Sequence, residues 1–263
     1  TIPTVVLSYI LPWYKESIDD YKINEEDSES DLWKREKLYL QESIDNALIN
    51  AYKLANESII INREVYNILS IDSEASTNLM VGDSILKIDD QEIKEYNDIQ
   101  NSIKDKSIDD IVNIVVLRNN KEVLCTAKVI LHNDRKILGI YLMKSYDYSV
   151  ERKIDFNFSS REGGSSGGFM LSLAIYNRLV EKDLTNGLKI VGTGTIDSEG
   201  NVGSIGGVKY KLKGAVSNKA NIFFVPSGEN YNEAVKEKKE NNYKIEIVEV
   251  KTLQDAVNYL ESR

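Results

Sequence analysis

Hydrophobic positions change period several times along this chain, and each change marks a new element. Residues 4–10, "TVVLSYI", are rich in β-branched residues and predict a strand. Beyond the acidic stretch "NEEDSESD", Leu40, Ile44, Ala47, Leu48, Ala51 and Ala55 recur at helical spacing and predict a long amphipathic helix. Its polar face mixes Glu42, Asp45 and Lys53, whereas a membrane-surface helix would carry a basic face, so this one is expected to dock on protein.

From Ser58 the period becomes two. "SIIINREVYNILSI" predicts strands, and "VGDSILKIDDQEI" places a short strand between turns at Gly82-Asp83 and Asp89-Asp90. Tyr96, Ile99 and Ile103 share one helical face. "DDIVNIVVLRNNKEVLCTAKVIL" then predicts two strands joined at Asn119-Asn120. After a bridge rich in Lys and Tyr the elements alternate. "KIDFNF" is a strand, a helix starts at Gly167, and "LKIVGTGTI" is a strand. "GGVKYKLKGAVS" starts a second helix, followed by strand "NIFFVP", helix "YNEAVKEKK", strand "YKIEIVEV" and helix "LQDAVNYLES". The expected fold class is α+β or mixed, with a sheet and helices packed on it in the second half.

Composition removes several functions. The net charge of −9 argues against a nucleic-acid groove, which needs a basic face. A single cysteine, Cys125, excludes an intrachain disulfide and a cysteine-based zinc site, and no H-E-x-x-H spacing supplies another metal site, so none is expected. With His132 the only histidine, at the end of a strand, Ser-His-Asp catalysis has one unpromising base available. No run approaches the eighteen or so apolar residues of a membrane helix.

"EGGSSGGFML", residues 162–171, reads like a linker but runs without pause into an apolar helix. A strand–turn–helix with Ser166 near the helix N-terminus suits an acyl-transfer nucleophile or an anion site. Glycines allow close backbone approach, and orphan N–H groups can stabilise an oxyanion. No Gly-Lys-Ser or Gly-Lys-Thr occurs, so a phosphate loop, and with it a nucleotide, is not expected. A nucleophilic serine would then need a lysine base, neutral through burial. Lys209 follows Ile205-Gly206-Gly207-Val208 and is the expected one, with Lys211 on the other side of the helix.

Residues 59–131, and Val81 to Asp90 above all, resemble a PDZ domain. The resemblance implies peptide binding by strand addition beside a helix. It assigns Glu64, Val65, Tyr66 and Ile99 to the groove and the carboxylate loop to "NREVYN", Asn62 to Asn67, which has no glycine. "Gly164-Ser165-Ser166-Gly167-Gly168" resembles the nucleophile turn of the Lon family of serine proteases, with Ser165 and Gly167 where that family usually has proline and alanine. "Ile205-Gly206-Gly207-Val208-Lys209" resembles its lysine motif, 43 residues after Ser166, and "Thr193-Gly194-Thr195-Ile196" its Thr-Gly-x-Ile strand.

A PDZ domain joined to a Lon-like domain without an ATPase module is similar to the membrane-anchored, YlbL-type PDZ–Lon-like peptidases of Gram-positive bacteria. The resemblance implies a Lon-type α/β proteolytic domain with an inserted PDZ domain. Residues 1–58 would pack on the protease domain, 59–131 form the PDZ domain, 132–148 a linker and 149–263 the proteolytic domain. It implies an ATP-independent endopeptidase with a Ser166–Lys209 dyad, supported by Thr193, Gly164 and Gly167. No cofactor is expected, and the partner is a polypeptide substrate, with no nucleic acid. The native protein is expected at the extracellular face of the cell membrane through an anchor outside this sequence, and an oligomer is left open. The alternative is an inactive PDZ scaffold.

Overall fold

Ser28 starts the first helix among the described residues because its hydroxyl accepts from the Asp31 N–H while the Asp31 carboxylate accepts from the Ser28 N–H. The computed structural model describes residues 22–23, 27–159, 162–180 and 182–263; the strand expected at residues 4–10 lies outside them. The capped helix, α1 (Glu29–Leu54), buries Ala47, Leu48, Ala51 and Tyr52. It is followed by β1 (Ile59–Ile71), β2 (Ser84–Ile88), β3 (Gln91–Glu92), α2 (Tyr96–Lys104), β4 (Ile111–Arg118), β5 (Lys121–Lys128), β6 (Ile130–His132), β7 (Arg135–Ile137) and β8 (Ile140–Val150).

Strands β5-β4-β2-β1-β8 form one antiparallel sheet in that order, with β3 on β2. Asn119 and Asn120 both take positive φ, the geometry that lets a two-residue turn match the twist of β4 and β5. Ile68, Ile88, Val112, Ile114 and Val116 are fully buried on one face, under Ile99 and Ile103 of α2. Residues 132–148 are therefore not a linker. They hold the turn and second strand of the β6–β7 hairpin and most of β8, which pairs with β1 from Ile59↔Val150 to Ile71↔Ile140 as the edge of the sheet. Of the tyrosines and lysines of β8, Tyr141 and Lys144 are exposed, whereas Tyr146 and Tyr148 are half-buried and Tyr148 packs on the core beside α1.

The second half contains α3 (Gly168–Leu179), β9 (Ile190–Gly192), β10 (Thr195–Ile196), β11 (Val202–Gly203), α4 (Val208–Ser217), β12 (Ile222–Pro226), α5 (Glu229–Glu240), β13 (Glu246–Val250) and α6 (Leu253–Glu261). The central strand β12 pairs in parallel with β9 and β13 and is buried throughout, as a continuous apolar run requires when helices cover both faces. One core joins α1 to this half: Ala47, Leu48, Ala51 and Tyr52 meet Phe169, Leu173 and Tyr176 of α3. The strand expected at Lys153–Phe158 is absent. That segment has no ladder partner among the described residues, and its alternation arises because Ile154 and Phe156 pack on the same core. The whole is a mixed α/β chain with antiparallel sheets in its first half. Among the described residues no helix is long and apolar enough to cross a membrane.

Candidate functional site

The Gly-Ser segment is a tight turn into α3. Gly164 takes φ +80, the left-handed region open to glycine, and its N–H donates to the Glu36 carbonyl of α1 at 2.9 Å. Gly167 stands at the N-cap with φ −97 and free space around it, so this position accepts any small residue. Ser166 is half-buried. Its carbonyl accepts from the Gly194 N–H at 2.9 Å and from the Thr193 hydroxyl at 3.1 Å. Thr193 is buried to 2% exposure and lies just past β9, so its hydroxyl is a fixed rather than a solvated group.

The lysine beside this hydroxyl is Lys211, not Lys209. Lys211 Nζ donates to Thr193 Oγ1 at 3.1 Å, and burial of the amine holds its pKa below the ordinary lysine value. Lys209 points outward, its Nζ lying 4.9 Å from the Tyr210 ring centroid, and Tyr210 holds its pKa above the ordinary value. Helix packing decides between them. Val208, Leu212 and Ala215 form the buried stripe of α4, and Lys211 flanks it at i+3 from Val208. That spacing from an apolar residue is the signal for Lys211 that the sequence carries. Lys213 is exposed.

Ser166, Thr193 and Lys211 thus form one connected set, with Ser166 and Thr193 linked directly. A hydroxyl that donates to a carbonyl must accept with its lone pair, so Thr193 takes one N–H of Lys211 and orients the rest of the amine. A neutral amine held this way can remove a proton from a nearby hydroxyl.

A second site lies in the antiparallel sheet. Strand β8 is an edge, and a groove runs between it and α2, lined by Tyr96, Ile99, Ile103, Leu138, Ile140 and Leu142. Ile99 lies in the groove. Glu64, Val65 and Tyr66 do not: they sit on β1, an interior strand, and at Tyr66 both edges are already paired, to Ile85 of β2 and Lys144 of β8. The glycine missing from Asn62–Asn67 is Gly139, at the end of the groove and in the left-handed region with φ +67. Its carbonyl accepts from the Asp72 N–H at 2.8 Å, while the N–H groups of Leu138 and Gly139 have no acceptor among the described residues. Free N–H groups at the end of an apolar groove suit an anion such as a peptide carboxylate. Lys136 fixes this end by donating to the Lys104 and Lys106 carbonyls at 3.0 and 2.5 Å, at and just past the C-terminus of α2. His132 also lines the groove, and no group of three potential metal ligands occurs among the described residues.

A PDZ domain family model matches residues 43–129. Among solved structures, the solution structure of the second domain of the listeria protein Lin2157 is similar at 26% identity, covering 32% of this chain and 87% of that one, with a TM-score of 0.27. No curated protein matches the chain. The matched residues contain β1 to β5 and α2, the helix and sheet that carry one wall of the groove, and a PDZ domain is therefore present in this chain.

Proposed function

We propose that the chain is an ATP-independent serine endopeptidase in which Ser166 is the nucleophile and Lys211 the general base, with the PDZ groove holding part of the polypeptide substrate. The observation that carries this reading is the half-buried Lys211 amine, hydrogen-bonded to a buried threonine that is itself bonded to the nucleophile's own carbonyl. A buried lysine amine with a lowered pKa beside a serine turn is the arrangement a general base requires. The resemblance to PDZ–Lon-like peptidases supports the same assignment, with the base moved from Lys209 to Lys211. Attachment to the outer face of the cell membrane is part of this proposal.

In the proposed reaction neutral Lys211 accepts the Ser166 hydroxyl proton while Oγ bonds to the scissile carbonyl carbon. Collapse of the tetrahedral adduct breaks the C–N bond, and the Lys211 ammonium returns its proton to the leaving amine. Water then attacks the acyl ester while Lys211 takes its proton; collapse breaks the C–Oγ bond, the Lys211 ammonium returns that proton to Ser166 Oγ, and the acid product leaves. Thr193 holds the amine in place throughout.

The test is product analysis by mass spectrometry after incubation with an unstructured polypeptide, with and without ATP. Wild type should yield ATP-independent fragments, and Ser166→Ala and Lys211→Ala should yield none. Fragments from Ser166→Ala at the wild-type rate would overturn the proposal. A wild type that binds C-terminal peptides in the groove yet cleaves nothing would make the chain a PDZ scaffold.

A further inference from the structure

Ser43 lies on α1, far from the serine turn along the chain, yet it reaches that turn. It is buried to 4% exposure, and its hydroxyl donates to the Ser165 carbonyl at 3.3 Å. That same carbonyl accepts from the Gly168 N–H at 3.1 Å. The fit is tight, because a Cβ on Gly168 would collide with Ser43 Oγ.

Peptide geometry turns this contact into an orientation. In a planar trans unit the C=O and N–H point in opposite directions, and no cis bond occurs among the described residues. Two donors pin the Ser165 carbonyl inward, so the Ser166 N–H of the same unit points outward. The next unit repeats the pattern: Gly194 and Thr193 pin the Ser166 carbonyl, and the Gly167 N–H points away from them. Neither N–H has an acceptor among the described residues. Two adjacent, fixed, unpaired donors at the nucleophile are what a developing oxyanion needs.

We infer that Ser43 is a positioning residue that aims the Ser166 N–H as an oxyanion donor. Further along α1 toward its start, Lys37 Nζ donates to the Glu162 carbonyl and the Glu36 carbonyl accepts from the Gly164 N–H, so the helix holds the turn at three points. The role rests on the endopeptidase reading. It assigns to a helix outside the serine and lysine motifs a direct part in transition-state stabilisation.

The experiment compares wild type, Ser43→Ala and Ser43→Cys in steady-state hydrolysis of a short peptide and in inhibition by a peptidyl boronate, which forms a tetrahedral adduct on a reactive serine. Ser43→Ala should lower kcat about 10- to 100-fold, less than outright removal of an oxyanion donor. It should weaken the boronate by a similar factor, leaving KM and the pH at which activity rises within about twofold. Ser43→Cys, which keeps size and a weak donor, should recover part of the loss. A circular-dichroism melt of each variant separates this from misfolding, which would lower the concentration of active enzyme without weakening the boronate for the folded fraction. A Ser43→Ala effect confined to KM, or a boronate affinity unchanged beside a lower kcat, overturns the positioning role. A wild type with no Ser166-dependent hydrolysis or boronate adduct overturns the endopeptidase reading itself, and the role with it.

Discussion

Asp45→Asn should stabilise this protein at neutral pH and remove a pH dependence at the joint between α1 and β8. Asp45 is fully buried, and its carboxylate accepts from the Tyr146 N–H at 2.9 Å and from Gln41 Nε2 at 2.8 Å. Among the described residues no cation pairs with it. Burial raises its pKa from 3.8 to about 6, against the lowering pull of the two hydrogen bonds, and the charge of Glu42 adds to the rise. Because the folded value lies above the unfolded one, the native state holds the extra proton between those two values. The contribution of this group to stability is therefore greatest below about pH 4 and is lost as pH rises through about 6. At about 1.36 kcal/mol per unit, ionisation inside the fold costs roughly 3 kcal/mol. Asparagine keeps the acceptor for Tyr146 and carries no charge. Urea unfolding followed by circular dichroism at pH 4, 5, 6 and 7.5 isolates the effect, since every other carboxylate cancels in the difference between variant and wild type. The variant should match wild type at pH 4 and gain up to about 3 kcal/mol at pH 7.5. A difference that stays flat across this range, or a variant less stable at pH 7.5, would refute the reasoning.

Other predictions concern the two sites. Lys211→Met should abolish hydrolysis while Lys209→Ala keeps it; since the base acts when neutral and burial lowers its pKa, kcat/KM should rise with pH below the ordinary lysine range, and a rise only at the ordinary lysine value would contradict this. Gly168→Ala should destabilise by about 1–3 kcal/mol through its collision with Ser43 Oγ and its 3.1 Å approach to Ile196 Cγ2. Adding Ser43→Ala should recover part of that loss in a double-mutant cycle, and strict additivity would show that the two sites are uncoupled. Gly139→Val should destabilise the PDZ sheet by more than 1 kcal/mol, because φ is +67 and a Cβ would lie 2.7 Å from Ala75 Cβ; thermal melts would show it, and an unchanged melt would count against the loop geometry.

Much of this fold is legible along the chain because its signals are local. The helical stripe Ala47, Leu48, Ala51 marks α1, the Asn119-Asn120 pair marks the β4–β5 hairpin, and the continuous run "IFFVP" marks the buried strand β12. Each depends on a few neighbouring residues whose periodicity or backbone preference forces one conformation. The Gly-Ser turn is legible for the same reason, since a serine between glycines at the start of an apolar helix has few other uses. "KIDFNF" misled because alternation reports an apolar side, and a side chain can find one by packing on helices without any ladder.

What only the tertiary structure decided is which way groups face and which distant segments meet. Lys209 and Lys211 are chemically identical and two positions apart; the packing of Val208, Leu212 and Ala215 against the sheet turns one toward Thr193 and leaves the other in solvent. The groove is made by α2 and a strand some forty residues further on, because β8 pairs along β1 and takes the edge that β1 would otherwise present. Ser43 carries no motif at all. Its hold on Ser165 exists because the burial that drives α1 onto α3 brings residues far apart in sequence to hydrogen-bond distance, and burial of apolar surface acts without regard to order along the chain.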